Sequence, residues 1–552
     1  MKKILPIVLL LGAFGWACAT ILMSRTAEAP AGTITLRMGH WQLETSVREA
    51  IAELARDYQQ LHPEVRIVQD AVPETTYGPW VTTQLIGGTA PDMMEVGLGL
   101  AYQLWEIYLH RYFVPLTSVV GRPNPYNRGT ELAGVPLRLT MKDGMRGAYY
   151  EKLQDYMTIT LSQFGVRVFY NRELLKQLTG LDKAPEDYRK FLAACAEIKK
   201  HPGPGGRMYV PIAGSSYHVG LWEWMMFDPI TYGAMRRADF NRDGFVGNDE
   251  QFVAFTSGRL GFDYPSLHAR FKIFREITEN FQAGYTGLSR DEAVFLFAQQ
   301  KAVFLSTGTW DARSLQQQTE GRFTVGVIAF PRPSASDPEY GGVVEGPTYE
   351  QPQGGFPFGI TRTCKHPEAA LDFLLFVAAK KNNEKFNRII GWIPSVKGTK
   401  MDPLLQAFEP HLNGVYSNMN FNLGGEPLVK WNQLYSLYQV GQISYADLAK
   451  QFAPFYKEHG LKDFMELQRD WRRDLRTDEQ FLAGIRARAL AEEGPEAASA
   501  WVKYRALTAA RQVLPEIAHA RQMKLVREGP EPGAPNPYEY SPAVLRKARS
   551  GS

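Results

Sequence analysis

The sequence predicts an α/β protein whose sheets are largely parallel and covered by helices on both faces. Three observations carry this. Apolar strands alternate with amphipathic helices from Thr33 onward, and that order is the signature of parallel sheets with helical crossovers. A second α/β series starts near Val166–Tyr170. The chain has 552 residues, 44% apolar and 22% charged. It is long enough to bury several cores and too apolar to be disordered or collagen-like.

Ile34, Leu36 and Met38 alternate as a strand in Thr33–Met38. Ser46-x-x-Glu49 has the form of a capping box. Val47, Ile51, Leu54, Tyr58 and Leu61 recur at three and four behind it, one apolar helix face ended by His62-Pro63. Val65 and Ile67 begin a second strand, Trp80–Ile86 is a short helix, Gly87-Gly88 breaks it, and Met93–Val96 is a buried strand. In the second series, Ala184-Pro185-Glu186-Asp187 opens a helix to Lys200. Met208–Ile212, Ala302–Leu305 and Phe323–Phe330 read as strands, and Ser334–Gly355 as a long connection. Pro367 suits the first turn of a helix to Lys380. From about residue 420 the chain is mostly helical and increasingly charged, with an apolar stripe of Trp501, Tyr504 and Leu507 and a Pro/Gly linker at Gly529–Pro537.

Lys2 and Lys3 precede an apolar run, Ile4–Met23, and Ala27-Glu28-Ala29 offers an A-x-A cleavage site. This is the pattern of a secretory signal. The run is also long enough to remain as an anchor helix, and lipid attachment at Cys18 is a third alternative, although Trp16 is bulky where a lipobox has a small residue. All three readings place the chain outside the cytoplasmic membrane, in the periplasm or on its outer face. No other stretch approaches a membrane span, which excludes a multi-span transporter. The 62 basic and 58 acidic residues nearly balance, so no nucleic-acid partner is expected. Cys18, Cys195 and Cys364 have no metal spacing; the last two read as buried thiols, with a pairing between them as the alternative.

Several segments share an order. His40-Trp41 follows the first strand, and Leu85–Asp92 contains Gly88-Thr89-Ala90-Pro91-Asp92. Val168-Phe169-Tyr170-Asn171 follows, then Phe297–Val303 and Thr307-Gly308-Thr309-Trp310. Gly354-Gly355, Pro367-Glu368-Ala369-Ala370, Ile393-Pro394-Ser395 and Gly441–Ala446 complete the series. In this order they resemble extracellular solute-binding protein family 1, the maltose-binding-protein-like group, over residues 33–458. The resemblance implies a two-lobed periplasmic-binding-protein (Venus-flytrap) fold. Residues 30–150 and 335–380 would form lobe 1, and residues 151–334 and 381–459 lobe 2. Hinge crossovers would join them, and 460–552 would add a helical C-terminal extension. It also implies a monomer that binds a carbohydrate in the cleft, closes by a hinge motion and delivers the ligand to an ABC permease.

Sugars present apolar C–H faces and many hydroxyls, so their sites need aromatic platforms and planar polar groups. Trp41, Gln42 and Glu44 stand at the carboxyl end of the first strand, where α/β crevices open. Tyr217, Trp222 and Trp224 follow a strand, and Trp310, by family position, is the leading stacking residue. Gly354 and Gly355 are either ligand contacts or turn residues. Asp92 reads as a structural turn residue. After it, Glu95-Val96-Gly97-Leu98-Gly99 lacks the aromatic and charged residues of the maltose-binding branch.

Asp239–Glu250 fits the EF-hand loop D-x-[DN]-x-[DN]-G-x5-E at every fixed position. Calcium wants six to eight oxygens. Asp239, Asn241, Asp243, the Phe245 carbonyl, a water near Gly247 and both oxygens of Glu250 would supply them, with Gly244 making the turn. A structural calcium ion is therefore expected. No nucleophile elbow, zinc-protease motif or phosphate loop occurs, so a non-enzyme is expected. A carbohydrate-active enzyme using two carboxylates and a calcium-dependent surface scaffold are the alternatives.

Overall fold

A computed structural model describes residues 32–511, except Ala101, Glu151, Lys152, 241–243, Phe245, Asn418 and 420–423. The export segment with Cys18 and the chain after Arg511 lie outside the described residues. The chain begins β1 (Ile34–His40), α1 (Thr45–Leu61), β2 (Val65–Ala71), α2 (Glu74–Gly87) and β3 (Met93–Glu95), and later reaches β4 (Ile159–Phe164). There follow β5 (Val166–Asn171), α3 (Tyr188–Ile198), β6 (Val210–Ala213), α4 (Ser216–Met226), α5 (Asp228–Ala238) and α6 (Asn248–Thr256). Next come α7 (Pro265–Thr278), α8 (Arg290–Ala298), β7 (Ala302–Gly308), α9 (Thr309–Thr319) and β8 (Val325–Ile328). The last elements are β9 (Gln353–Ile360), α10 (Pro367–Val377), α11 (Lys380–Ile390), β10 (Ile393–Pro394), α12 (Gly425–Gln439), α13 (Tyr445–Ala491) and α14 (Gly494–Arg511).

Two compact units result. Unit 1 takes the chain up to Gln163 and Gly354–Met401; unit 2 takes Phe164–Gln353 and the chain from Asp402. The crossings thus fall at 163/164, 353/354 and 401/402, against the expected 150, 335 and 380. The physical reason is pairing. β4 and β9 are members of the unit 1 sheet. α11 belongs to the same unit, where Lys385 reaches Glu53 (2.7 Å) and Asp57 (2.6 Å) on α1.

The unit 1 sheet has the order β10-β4-β9-β3-β1-β2. β2, β1 and β3 are parallel, but β9 lies antiparallel to β3 and β10 antiparallel to β4. The unit 2 sheet, β8-β5-β7-β6, is parallel only between β6 and β7. Both sheets are therefore mixed, not largely parallel. The first strand entering unit 2, β5, runs against both of its neighbours, and the strand re-entering unit 1, β9, runs against β3. Apolar periodicity reports burial and carries no strand direction.

α1 buries Val47, Ile51, Leu54 and Tyr58 as its periodicity requires, while Leu61 is exposed. Its N-cap is Glu44, so Ser46 sits inside the first turn and no capping box forms. The unit 2 core gathers Val168, Tyr170, Phe191, Trp222, Phe271 and Phe304. Cys195 and Cys364 are buried free thiols in different units.

The expected extension boundary at 460 falls inside α13, a single helix of 47 residues. Leu448, Phe452, Tyr456 and Phe464 join its first half to the unit 2 core. Trp501, Tyr504 and Leu507 of α14 pack with Phe481, Ile485 and Ala489 of α13. The apolar stripe thus serves a helical hairpin rather than a contact with the body of the unit. Among the described residues, no helix is long and apolar enough to cross a membrane.

Candidate functional site

In unit 1, parallel β1 and β3 are in register at Met38–Met93 and Gly39–Met94, so both end at one edge of the sheet. Trp41 and Gln42 leave β1 there, and Glu95 ends β3. Gln42 is buried and donates to Glu95 Oε1 at 2.8 Å. Tyr77 of α2 donates its hydroxyl to the Glu95 carbonyl at 2.6 Å and packs edge-on against Trp41, with ring centroids 5.1 Å apart. Glu44 contributes its main chain, accepting from Val47 and Arg48, and its side chain is exposed. Of the three unit 1 candidates, Trp41 and Gln42 converge with Glu95, and Glu44 acts as the helix cap.

Glu95 carries no sequence signal beyond its departure from the family pattern. It is 0% exposed, and among the described residues its Oε2 has no hydrogen-bond partner. Burial pushes its carboxyl up to about 8, partly offset by the hydrogen bond from Gln42. An acid raised in the native state binds a proton there that the unfolded chain has already lost. Its contribution to stability is present below the unfolded value near 4.5 and is lost as pH rises toward 8. Glu95→Gln is expected to raise the melting temperature relative to wild type at pH 9, the gap closing by pH 5. A gap independent of pH would refute this.

The glycines after Glu95 have a packing role. A Cβ on Gly78 of α2 would lie 2.0 Å from the Gly99 carbonyl oxygen, and Gly99 has φ +81°. The loop that lacks aromatic grips lies directly against a helix backbone. Asp92 is structural, as expected: its Oδ2 accepts from the Arg37 amide at 2.8 Å.

In unit 2, β7 delivers Thr307-Gly308 to the start of α9, where Trp310 and Asp311 stand in the first turn. The Trp310 ring folds back over Gly308, where a Cβ would lie 2.4 Å from it. Phe164 packs alongside at 5.7 Å between centroids. Thr307 donates to Asp311 Oδ2 at 2.5 Å, and Arg290 of α8 donates to Asp311 Oδ1 at 2.6 Å. The Arg290 guanidinium lies over the Tyr217 ring at 5.5 Å. Tyr217 and Trp310 are therefore linked through Arg290 and Asp311. Next to Tyr217, buried His218 has its basicity depressed to about 3 by burial, aided by Arg290, and stays neutral. Arg290 and Asp311 were not legible as site residues, because each is one charge on an ordinary helix.

Trp222 and Trp224 part company. Trp222 is 1% exposed and packs against Phe191 and Phe330, so it is a core residue and not a ligand contact. Trp224, two positions on, is 45% exposed. Gly354 and Gly355 lie within β9, so they are not turn residues; a Cβ on Gly354 would come within 2.9 Å of Thr160.

Of the calcium loop, Asn241, Asp243 and Phe245 lie outside the described residues. At the loop ends, Asp239 Oδ2 accepts from the Gly244 amide at 3.0 Å, and Gly244 has φ +85°. Glu250 is 3% exposed and receives the Phe240 and Gly247 amides on its two oxygens, at 2.8 and 3.1 Å. Among the described residues, no group of three or more His, Cys, Asp or Glu forms a metal cluster.

Comparison with solved structures places this fold among two-lobed sugar-binding proteins. A chitin oligosaccharide binding protein superposes with a TM-score of 0.52 at 14% identity, covering 78% of this chain and 99% of that one. The sugar-binding protein MalE of Xanthomonas citri gives 0.51 at 15% identity, over 80% and 99%. The "Multiple sugar-binding protein" of Streptococcus mutans serotype c is 20% identical over 389 residues, 69% of this chain and 79% of that protein. The profile of one family, "Bacterial extracellular solute-binding protein", matches residues 53–408. With most of its length matched, the chain belongs to the bacterial extracellular solute-binding proteins.

Proposed function

We propose that this protein is the extracytoplasmic substrate-binding component of an ABC importer and that it binds a carbohydrate, an oligosaccharide, for delivery to a permease. The observation that carries the reading is the linked set Trp310, Asp311, Arg290 and Tyr217. It combines two aromatic rings with an ion pair whose acid and base both bear hydrogen-bonding atoms. Rings supply faces for sugar C–H groups, and the charged planar groups match hydroxyls. Trp41, Gln42 and Glu95 offer a similar combination in unit 1. The sugar-binding proteins it resembles point the same way. Export by the N-terminal segment and action as a monomer complete the reading.

A thermal-shift panel of oligosaccharides, monosaccharides, polyols, amino acids and polyamines tests it. A ligand that binds the native state raises its stability by mass action. A saturable shift with one sugar class, the sugar being recovered unchanged, is the expected result. No shift with any sugar, or turnover of the sugar, overturns it.

A second reading concerns loop 239–250, which holds a structural calcium ion in this proposal. It is supported by the complete motif, the left-handed Gly244 and the inward Glu250 carboxylate. Glu250→Gln should shrink the calcium-induced rise in melting temperature, over and above the drop in chelator that follows from losing one of its two amide acceptors. An undiminished calcium response in the variant would refute it.

A further inference from the structure

Unit 2 contains a concave feature whose chemistry suits a sugar. A cavity of about 620 Å³ opens between α4, α7 and α12. That volume lies within the range typical of small-molecule sites, roughly 300–1,000 Å³. Trp224 stands in its lining, half exposed, on the same face of α4 as Tyr217. Seven residues separate them, which is two helical turns or ~10 Å along the axis. The cavity therefore lies beyond Tyr217, on the side away from the start of α4.

The walls are built rather than incidental. Trp431 and Tyr435 of α12 stack at 5.3 Å and 15° between planes. Tyr435 stacks in turn on Phe274 at 5.6 Å and 20°. The Tyr435 hydroxyl donates to Glu223, the neighbour of Trp224. Burial raises the Glu223 carboxyl, and Arg270 opposes it. Arg270 itself is buried over the Phe227 ring at 5.1 Å and donates to the Met419 carbonyl. These partners hold one acid and one base in fixed positions at the cavity wall.

Three further lining groups, the side chains of Asn432, Ser436 and Gln439, make no hydrogen bond to the protein among the described residues. Asn432 and Ser436 are one helical turn apart and exposed on the face of α12 that borders the cavity. An exposed indole, three uncommitted polar side chains and a balanced acid–base pair suit a neutral ligand with apolar faces and many hydroxyls. A strongly charged ligand of either sign would meet a like charge in the same wall.

We infer that this cavity is an outer sugar subsite, with Trp224 as its platform, which takes the distal rings of an oligosaccharide whose first rings lie against Trp310 and Tyr217. The inference rests on the carbohydrate reading above and makes the ligand class a chain of several rings rather than a mono- or disaccharide.

Titration of the full-length exported protein with xylo-, chito- and malto-oligosaccharides of increasing length tests it. Affinity for the recognised series should rise at least tenfold between the disaccharide and the longest member. Trp224→Ala should cancel most of that gain. Ser436→Trp, which fills the cavity from an exposed helix position, should do the same by a different route. Equal affinity for short and long members, or a length gain that survives both substitutions, overturns the subsite and leaves the carbohydrate reading standing. Equal loss across all lengths in Trp224→Ala also overturns it, because Trp224 would then belong to the inner site. Failure of every sugar to bind the wild type overturns both.

Discussion

Glu350→Ala should destabilise unit 2 by about 3–5 kcal/mol, the usual cost of removing one partner from a buried ion pair. Glu350 meets Arg167 at 2.8 Å and Arg332 at 3.4 Å, and the Arg167 and Glu350 side chains are 2% and 5% exposed. The His411 amide also donates to Glu350, at 3.2 Å. Arg167 donates to the Ala407 carbonyl at 2.7 Å and the Glu409 carbonyl at 2.9 Å. The network ties β5, the segment before β9 and the chain just after residue 401, the segments next to the three crossings. Removing the carboxylate leaves the buried Arg167 and the partly buried Arg332 without their acid, and desolvation makes that costly. Burial pushes the Glu350 carboxyl up, but Arg167 and Arg332 outweigh it and hold it below the usual range. Its stabilisation is thus present at neutral pH and is lost as pH falls through that lowered value. Urea unfolding at pH 7 measures the loss. A change under about 1 kcal/mol would show that the network relaxes around the gap.

On the proposed carbohydrate reading, Trp310→Ala should weaken ligand binding about 30-fold or more, equivalent to about 2 kcal/mol, as for a central aromatic anchor. Its ring has a defined seat over Gly308 beside Phe164, so little ordering remains to be done on binding. Trp310→Phe, which keeps a ring, should recover part of the affinity. Calorimetric titration of both variants, with melting temperature as a folding control, gives the comparison. If alanine and phenylalanine bind like wild type while folding normally, Trp310 is a packing residue only.

Several features were legible in the residues because they depend on local chemistry. The apolar face of α1 is written in its three-and-four spacing, and four of its five residues are buried where that spacing puts them. Trp310 was legible by its place in the family's order of motifs, after Thr307-Gly308-Thr309, and the structure adds that Gly308 leaves room for its ring. Gly244 was legible for the same kind of reason, because the calcium-loop turn requires a left-handed residue. Trp222 and Trp224 looked alike in the chain. Two positions on a helix are about 200° apart, so the first entered the core and the second reached the surface.

The sequence by itself determined the α/β class, most of the helices and strands, and the order of motifs by which the family is known. Each rests on periodicity or on a turn residue, and both act within a few neighbours. Only the tertiary structure decided strand direction, the three crossing points and which charges meet. Strand direction follows from which sheet a returning segment joins, as β9 joins β3 more than 250 residues after it in the chain. The Arg290–Asp311 pair at Trp310, the Gln42–Glu95 pair and the Glu350 network each join residues that are remote in the chain. Nothing in their local spacing marks them. They meet because packing two sheets and their helices brings distant segments together, and burial then sets what their charges do.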